Sequence, residues 1–131
     1  MVDPIVVREW IKKADDDFDF ALYTTNDTVY YAHACFHFQQ AAEKYLKALI
    51  VAKELPFVKT HIMVALLKIC EASGYRLEGL SDAANFLDGC YIATRYPVHW
   101  PNEYTKENAL MARDAAEKVK LAVLAVLSLA S

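Results

Sequence analysis

Residues 34–50 read ACFHFQQAAEKYLKALI, a run with neither Gly nor Pro in which apolar residues return every three or four positions. That return is the period of one helix face. Projected at about 100° per residue, Ala34, Cys35, Phe38, Ala41, Ala42, Tyr45, Leu46 and Leu49 cover one broad arc. An arc that wide needs cover from several neighbours, so this helix is expected to be the central element of a helical core.

Working outward, the helix is predicted over about Thr28–Leu55 and ends before Pro56, which disfavours helical geometry in the residue preceding it. Upstream, Asp3-Pro4 is a helix start, because Asp accepts from free amides and Pro gives up a donor that has no partner there. Helix 1 then runs to about Tyr23 with Val7, Trp10/Ile11, Ala14, Phe18 and Ala21/Leu22 inward. Thr24-Thr25-Asn26-Asp27 is its break, and Asn26 or Asp27 is expected to cap helix 2. Downstream, Thr60 is expected to cap a helix 3 with Ile62, Ala65/Leu66 and Ile69/Cys70 inward until Gly74. Ser81 caps helix 4 (Ala83/Ala84, Leu87, Cys90/Tyr91, Thr94 inward), which Pro97 closes near Arg95. Thr105 caps helix 5, with Leu110/Met111, Ala115/Ala116, Val119, Ala122/Val123 and Val126/Leu127 inward. The fold class expected is all-α, an antiparallel up-and-down bundle of about five helices, with residues 1–131 forming one domain.

Composition agrees. Among 131 residues 56% are hydrophobic and 24% charged, with only three Gly and four Pro, which disfavours disorder and turn-rich β folds. A net charge of −3 gives no global attraction to a phosphate backbone, so any nucleic-acid contact has to be local. Cys35, Cys70 and Cys90 are an odd number without C-x-x-C spacing, as expected of reduced buried thiols in a cytoplasmic protein. The start, MVDPIVVREW, lacks the charged and apolar regions of a secretory signal. The longest apolar tract, residues 121–130, is half the roughly twenty residues a membrane span needs. No membrane association is expected. Gly-rich phosphate loops and a G-x-S-x-G elbow are absent, and most enzyme classes have no support.

Residues 34–50 resemble helix 2 of the HEPN superfamily (higher eukaryotes and prokaryotes nucleotide-binding domain), whose small prokaryotic members read roughly A-C-F-x-x-Q-Q-A-A-E-K-x-L-K-A-L. Further pieces follow in the family's order: ADDDFDFA at 14–21, KTH at 59–61 and TRYP at 94–97. The resemblance spans nearly the whole chain. It implies a homodimer that binds a nucleotide or RNA, without a cofactor, often paired as toxin and antitoxin with a small nucleotidyltransferase.

Individual residues carry competing readings. His33, His37, Gln40, Lys44 and Lys47 project within about 80° of one another. They form either the solvated face of a core helix or the border of a groove or dimer interface that accepts a nucleotide phosphate. A metal site from His33 and His37 would need a third ligand from another helix, and no metal is expected. Gln39 and Glu43 border the apolar arc and need partners from another helix, Arg95 being one. Asp15, Asp16, Asp17 and Asp19 read mainly as solvated surface, but Asp17 stands where the family's A-x-x-D-[apolar]-x-x-A pattern puts its acid. His61 reads as a helix-start cap. Asp17, His37, Lys44 and Tyr96 are the candidate ligand-binding residues. Apolar Phe36, Ile50, Leu121 and Leu124 lie outside the inward stripes and call for a dimer partner.

Residues 95–101, RYPVHWP, hold the one enzymatic reading. HEPN ribonucleases carry an Arg and a His separated by four to six residues, paired across a dimer, and cut RNA without metal. In such a pair His moves the proton and Arg stabilises charge on the phosphate. Here Arg95 and His99 have three residues between them, one short of that motif, and one of the three is Pro97. Trp100 and Tyr104 nearby could stack on a base or seal an interface. The alternative places Arg95 on the carbonyls that end helix 4 and Tyr96 against the dimer partner.

Overall fold

The computed structural model describes residues 2–95 and 104–130, and the side chains of all of these except 92–95, 129 and 130. Its regular structure is α1 (Pro4–Asp27), α2 (Tyr31–Ala52), α3 (Met63–Ala72), α4 (Ser81–Arg95) and α5 (Lys106–Ala130), with no strand among the described residues.

The four long helices alternate in direction. Phe18 packs edge-on to Phe38 and Lys44 pairs with Asp17, so α1 and α2 are antiparallel. Lys120 pairs with Asp15 while Leu127 shares a groove with Val7, so α5 is antiparallel to α1 as well. The short α3 instead runs the same way as α2. Residues 53–62 return the chain along α2, so that His61 meets Gln39, Cys70 meets Leu46 and Tyr75 meets Leu49. Phe57 marks the route of this return, lying 6.2 Å from the Trp10 ring with Lys47 Nζ over its own ring.

Surrounded in this way, α2 is the core helix that its sequence predicts. Phe38, Tyr45, Leu46, Leu49 and Ile50 are buried, together with Ala14, Phe18 and Ala21 of α1, Leu66 and Cys70 of α3, Leu87 of α4 and Ala116, Val119 and Val123 of α5. The polar stripe on α2 is not a solvated face, because α1 and the returning segment cover it. Of its members His33 alone is exposed; His37, Gln40 and Lys44 are half-buried and Lys47 is buried. Ile50 is likewise covered within the chain, whereas Leu121 remains 58% exposed.

Several helix ends differ from expectation for local reasons. The Thr24 and Thr25 hydroxyls donate to Phe20 O and Ala21 O, so the predicted break stays helical through Asp27. No side chain caps α2; it begins at Tyr31, and neither Asn26 nor Asp27 reaches it. Its far end closes before Pro56, with Glu54 at φ 54° and Leu55 N–H donating to Ile50 O, a Schellman arrangement. Gly74, at φ 106°, ends α3 in the same manner, with Tyr75 N–H donating to Cys70 O. Helix 3 itself starts at Met63, with Ile62 two residues beyond Thr60 at the cap position, so Ile62 is exposed and Met63 and Leu67 join Leu66 and Cys70 inward. Ser81 is the first helical residue of α4 rather than its cap. The Thr105 cap of α5 forms as predicted, exchanging hydrogen bonds with Asn108. In the first turns of α5, however, Ala109 and Ala112 are buried and Met111 is exposed.

Candidate functional site

Two polar clusters lie along α2, each completed from elsewhere in the chain. In the first, Lys44 Nζ donates to Asp17 Oδ2 across the α1–α2 contact. His37 Nδ1 stands 3.6 Å from the other carboxylate oxygen, beyond hydrogen-bond length, and this buried nitrogen has no hydrogen-bond partner among the described residues. Burial alone would raise the Asp17 carboxyl, but His37 and Lys44 outweigh it and hold the group below its ordinary value. Asp17, His37 and Lys44, singled out from sequence, thus meet in one place. Of the neighbouring acids, Asp16 and Asp19 are exposed, as expected of a solvated run, with Asp16 pairing with Lys12, whereas Asp15 is partly covered, accepting from the Tyr45 hydroxyl and pairing with Lys120.

The second cluster centres on Glu43, one turn from Gln39 and from Lys47. Its side chain is 5% exposed. Lys47 Nζ donates to Oε2 at 3.0 Å, Gln39 Nε2 approaches Oε1 at 3.3 Å, and His61 Nδ1 lies 3.0 Å from the same oxygen. Gln39 also donates to the His61 carbonyl at 3.2 Å. His61 therefore does not cap α3. That task falls to Asp88 of α4, while Thr60 Oγ1 accepts only from Ile62 N.

Rings connect the two clusters. Phe20 and Phe36 stand edge-on to His37 at 4.8 and 5.5 Å; Phe36 stacks with Tyr91 at 6.3 Å, and Tyr91 with His61 at 5.3 Å and 17°. The column draws on α1, α2, α4 and the segment before α3. Phe20 is half exposed at one end and His61 at the other. Aromatic faces bordered by cationic and hydrogen-bonding groups are suited to stacking a base and holding the attached sugar phosphate. Sequence reasoning missed the Glu43–Lys47–His61 group and the place of Tyr91. The i, i+4 spacing of Glu43 and Lys47 was a usable signal.

Tyr96 and His99, and the Arg95 side chain, lie outside the described residues; the α4 backbone reaches Arg95, one helical turn past Tyr91. No group of three or more His, Cys, Asp or Glu that would hold a metal occurs among the described residues. No helix among them is long and apolar enough to cross a membrane.

These features define an all-α bundle with a ring-lined polar face built around its second helix. The chain belongs to the HEPN domain family, whose model matches residues 7–126. Two solved structures agree. TT1696 from Thermus thermophilus is 34% identical, with a TM-score of 0.80 over 89% of this chain and 94% of its own. ST0689, described as an archaeal HEPN homologue, is 30% identical with a TM-score of 0.75 over 91% of this chain and 95% of its own. No curated protein matches the chain.

Proposed function

We propose that the protein is a nucleotide- or RNA-binding module that acts as a homodimer, with a minimal nucleotidyltransferase as partner in a toxin–antitoxin-like pair. The observation that carries the binding reading is the ring column that runs from Phe20 to His61 beside the Asp17–His37–Lys44 cluster. Lys44 and His37 supply charge and hydrogen bonding for a phosphate, Asp17 holds Lys44 and stands beside His37, and Tyr96 is the remaining candidate ligand contact. Membership of the HEPN family supports the same reading and the pairing. Dimerisation is supported by exposed Leu121 and by the apolar groove that Val7, Ile11, Ala52, Leu124 and Leu127 line at the other end of the bundle.

A second reading, a metal-independent ribonuclease using Arg95 and His99, draws support from the position of Arg95 one turn beyond Tyr91, which stacks in the column. Incubating the protein with single-stranded and structured RNA in chelator, beside Arg95→Ala and His99→Ala, separates the two. Binding without cleavage supports the module. Cleavage lost in both variants establishes the ribonuclease. A ligand at about a hundred times its Kd raises stability by about 2.7 kcal/mol, enough to register as a shift in Tm.

A further inference from the structure

His61 is half exposed, yet it is held more firmly than a surface residue requires. Gln39 grips its backbone carbonyl, Glu43 its Nδ1, and Tyr91 one ring face. Behind it stands the Glu43–Lys47 pair, 5% and 8% exposed. Burying such a pair costs desolvation that an apolar pair of similar size avoids, so stability alone is a poor reason for it. The network also selects the imidazole tautomer. Lys47 Nζ and Gln39 Nε2 are donors, so the Glu43 carboxylate is an acceptor to its neighbours and His61 Nδ1 carries the proton. In the neutral ring Nε2 is then a lone-pair acceptor on the other edge, and no hydrogen bond to it forms among the described residues.

An acceptor needs a donor from the ligand, and the geometry narrows which one. The Nε2 lone pair lies in the plane of the ring. A base stacked on the outer face of His61 lies parallel to that plane, so its edge groups do not point at Nε2. Phosphate oxygens at neutral pH are acceptors. The sugar hangs beside the stack, and its 2′-hydroxyl is a donor that RNA has and DNA lacks.

We propose that His61 is a ligand-contacting, specificity-determining residue: its Glu43-oriented Nε2 accepts a hydrogen bond from a ribose 2′-hydroxyl, giving this face a preference for ribonucleotides over deoxyribonucleotides. This rests on the nucleotide- or RNA-binding reading above. The test compares a short single-stranded RNA with DNA of the same sequence by fluorescence anisotropy, using the intact protein and His61→Phe, which keeps a ring for stacking and removes the acceptor. The expected result is RNA binding about five- to tenfold tighter than DNA, with the difference abolished in the variant because RNA loses more than DNA. Equal binding of RNA and DNA by the intact protein, or a preference that survives His61→Phe, overturns the role of His61 and leaves the binding reading standing. Binding of neither overturns both. A second measurement holds even if the variant fails to fold: nitrogen-15 NMR of the unsubstituted protein should show His61 protonated at Nδ1 and bare at Nε2, and the opposite tautomer overturns the proposal.

Discussion

Asp88 of α4 accepts hydrogen bonds from the Met63 and Val64 amides, at 2.6 and 3.2 Å, and so caps α3 from another helix. The free amides at a helix start need acceptors, and no residue local to α3 supplies one. Removing the carboxylate therefore uncaps α3 and unties it from α4 together. Asp88→Ala should lower stability by about 1–2 kcal/mol, Asp88→Asn by less, and Thr60→Ala by a few tenths, measured by urea unfolding at constant slope. A Thr60→Ala loss as large as that of Asp88→Ala would return the cap to Thr60.

Lys47 and Glu43 are coupled through burial. Deleting either one strands the other charge, and each single change to Ala is expected to cost about 3–5 kcal/mol. Combining Glu43→Gln with Lys47→Met removes both charges and should cost clearly less than the sum of those two substitutions made singly. A double-mutant cycle measures the coupling. Strict additivity would mean that the two side chains contribute independently.

What could be read along the chain was what periodicity encodes. The 34–50 run placed the central helix, and Gly74 and Thr105 marked boundaries because their chemistry is local. Boundaries set by partners distant in sequence were illegible. The Thr24-Thr25 pair reads as a break until its hydroxyls fold back on the preceding turn, and Asp88 is far along the chain from the amides it caps. The same limit applies to the site. Asp17, His37 and Lys44 were found because the family pattern and the α2 stripe named them. His61 was misread, since its partner Glu43 becomes a neighbour only when residues 53–62 double back along α2.

Asp17 gives an acid-side test. Its carboxyl titrates below the ordinary value in the fold, so its contribution to stability is complete above about pH 4 and is lost as pH falls through the lowered folded value. Asp17→Asn should be less stable than the unsubstituted protein at pH 7, and the gap should close on acidification below about pH 4. Thermal melts across that range decide it. A gap unchanged by acid would make the loss one of shape rather than charge.

The alkaline side has the opposite sign and more contributors. Cys35 is raised by its neighbour Cys90 and by burial; burial with Glu71 nearby pushes Cys70 up to about 11. Burial and the nearby cysteines push Tyr104 up to about 12, while burial raises Tyr45 and Tyr75. Groups raised on folding stabilise fully below their unfolded values, and that stability is lost as pH rises through the folded ones. The fold should therefore weaken from about pH 8.5 upward, the ordinary thiol range, and further past about pH 10, where free phenols ionise. The same burial keeps the thiols from reagents, because thiolate is the reacting form and the three cysteines are buried and outside any disulfide. At pH 8 their modification should await global opening and run about a thousandfold or more slower than in urea. Comparable rates in the two conditions would mean that the α2–α4 contact around Cys35 and Cys90 opens locally.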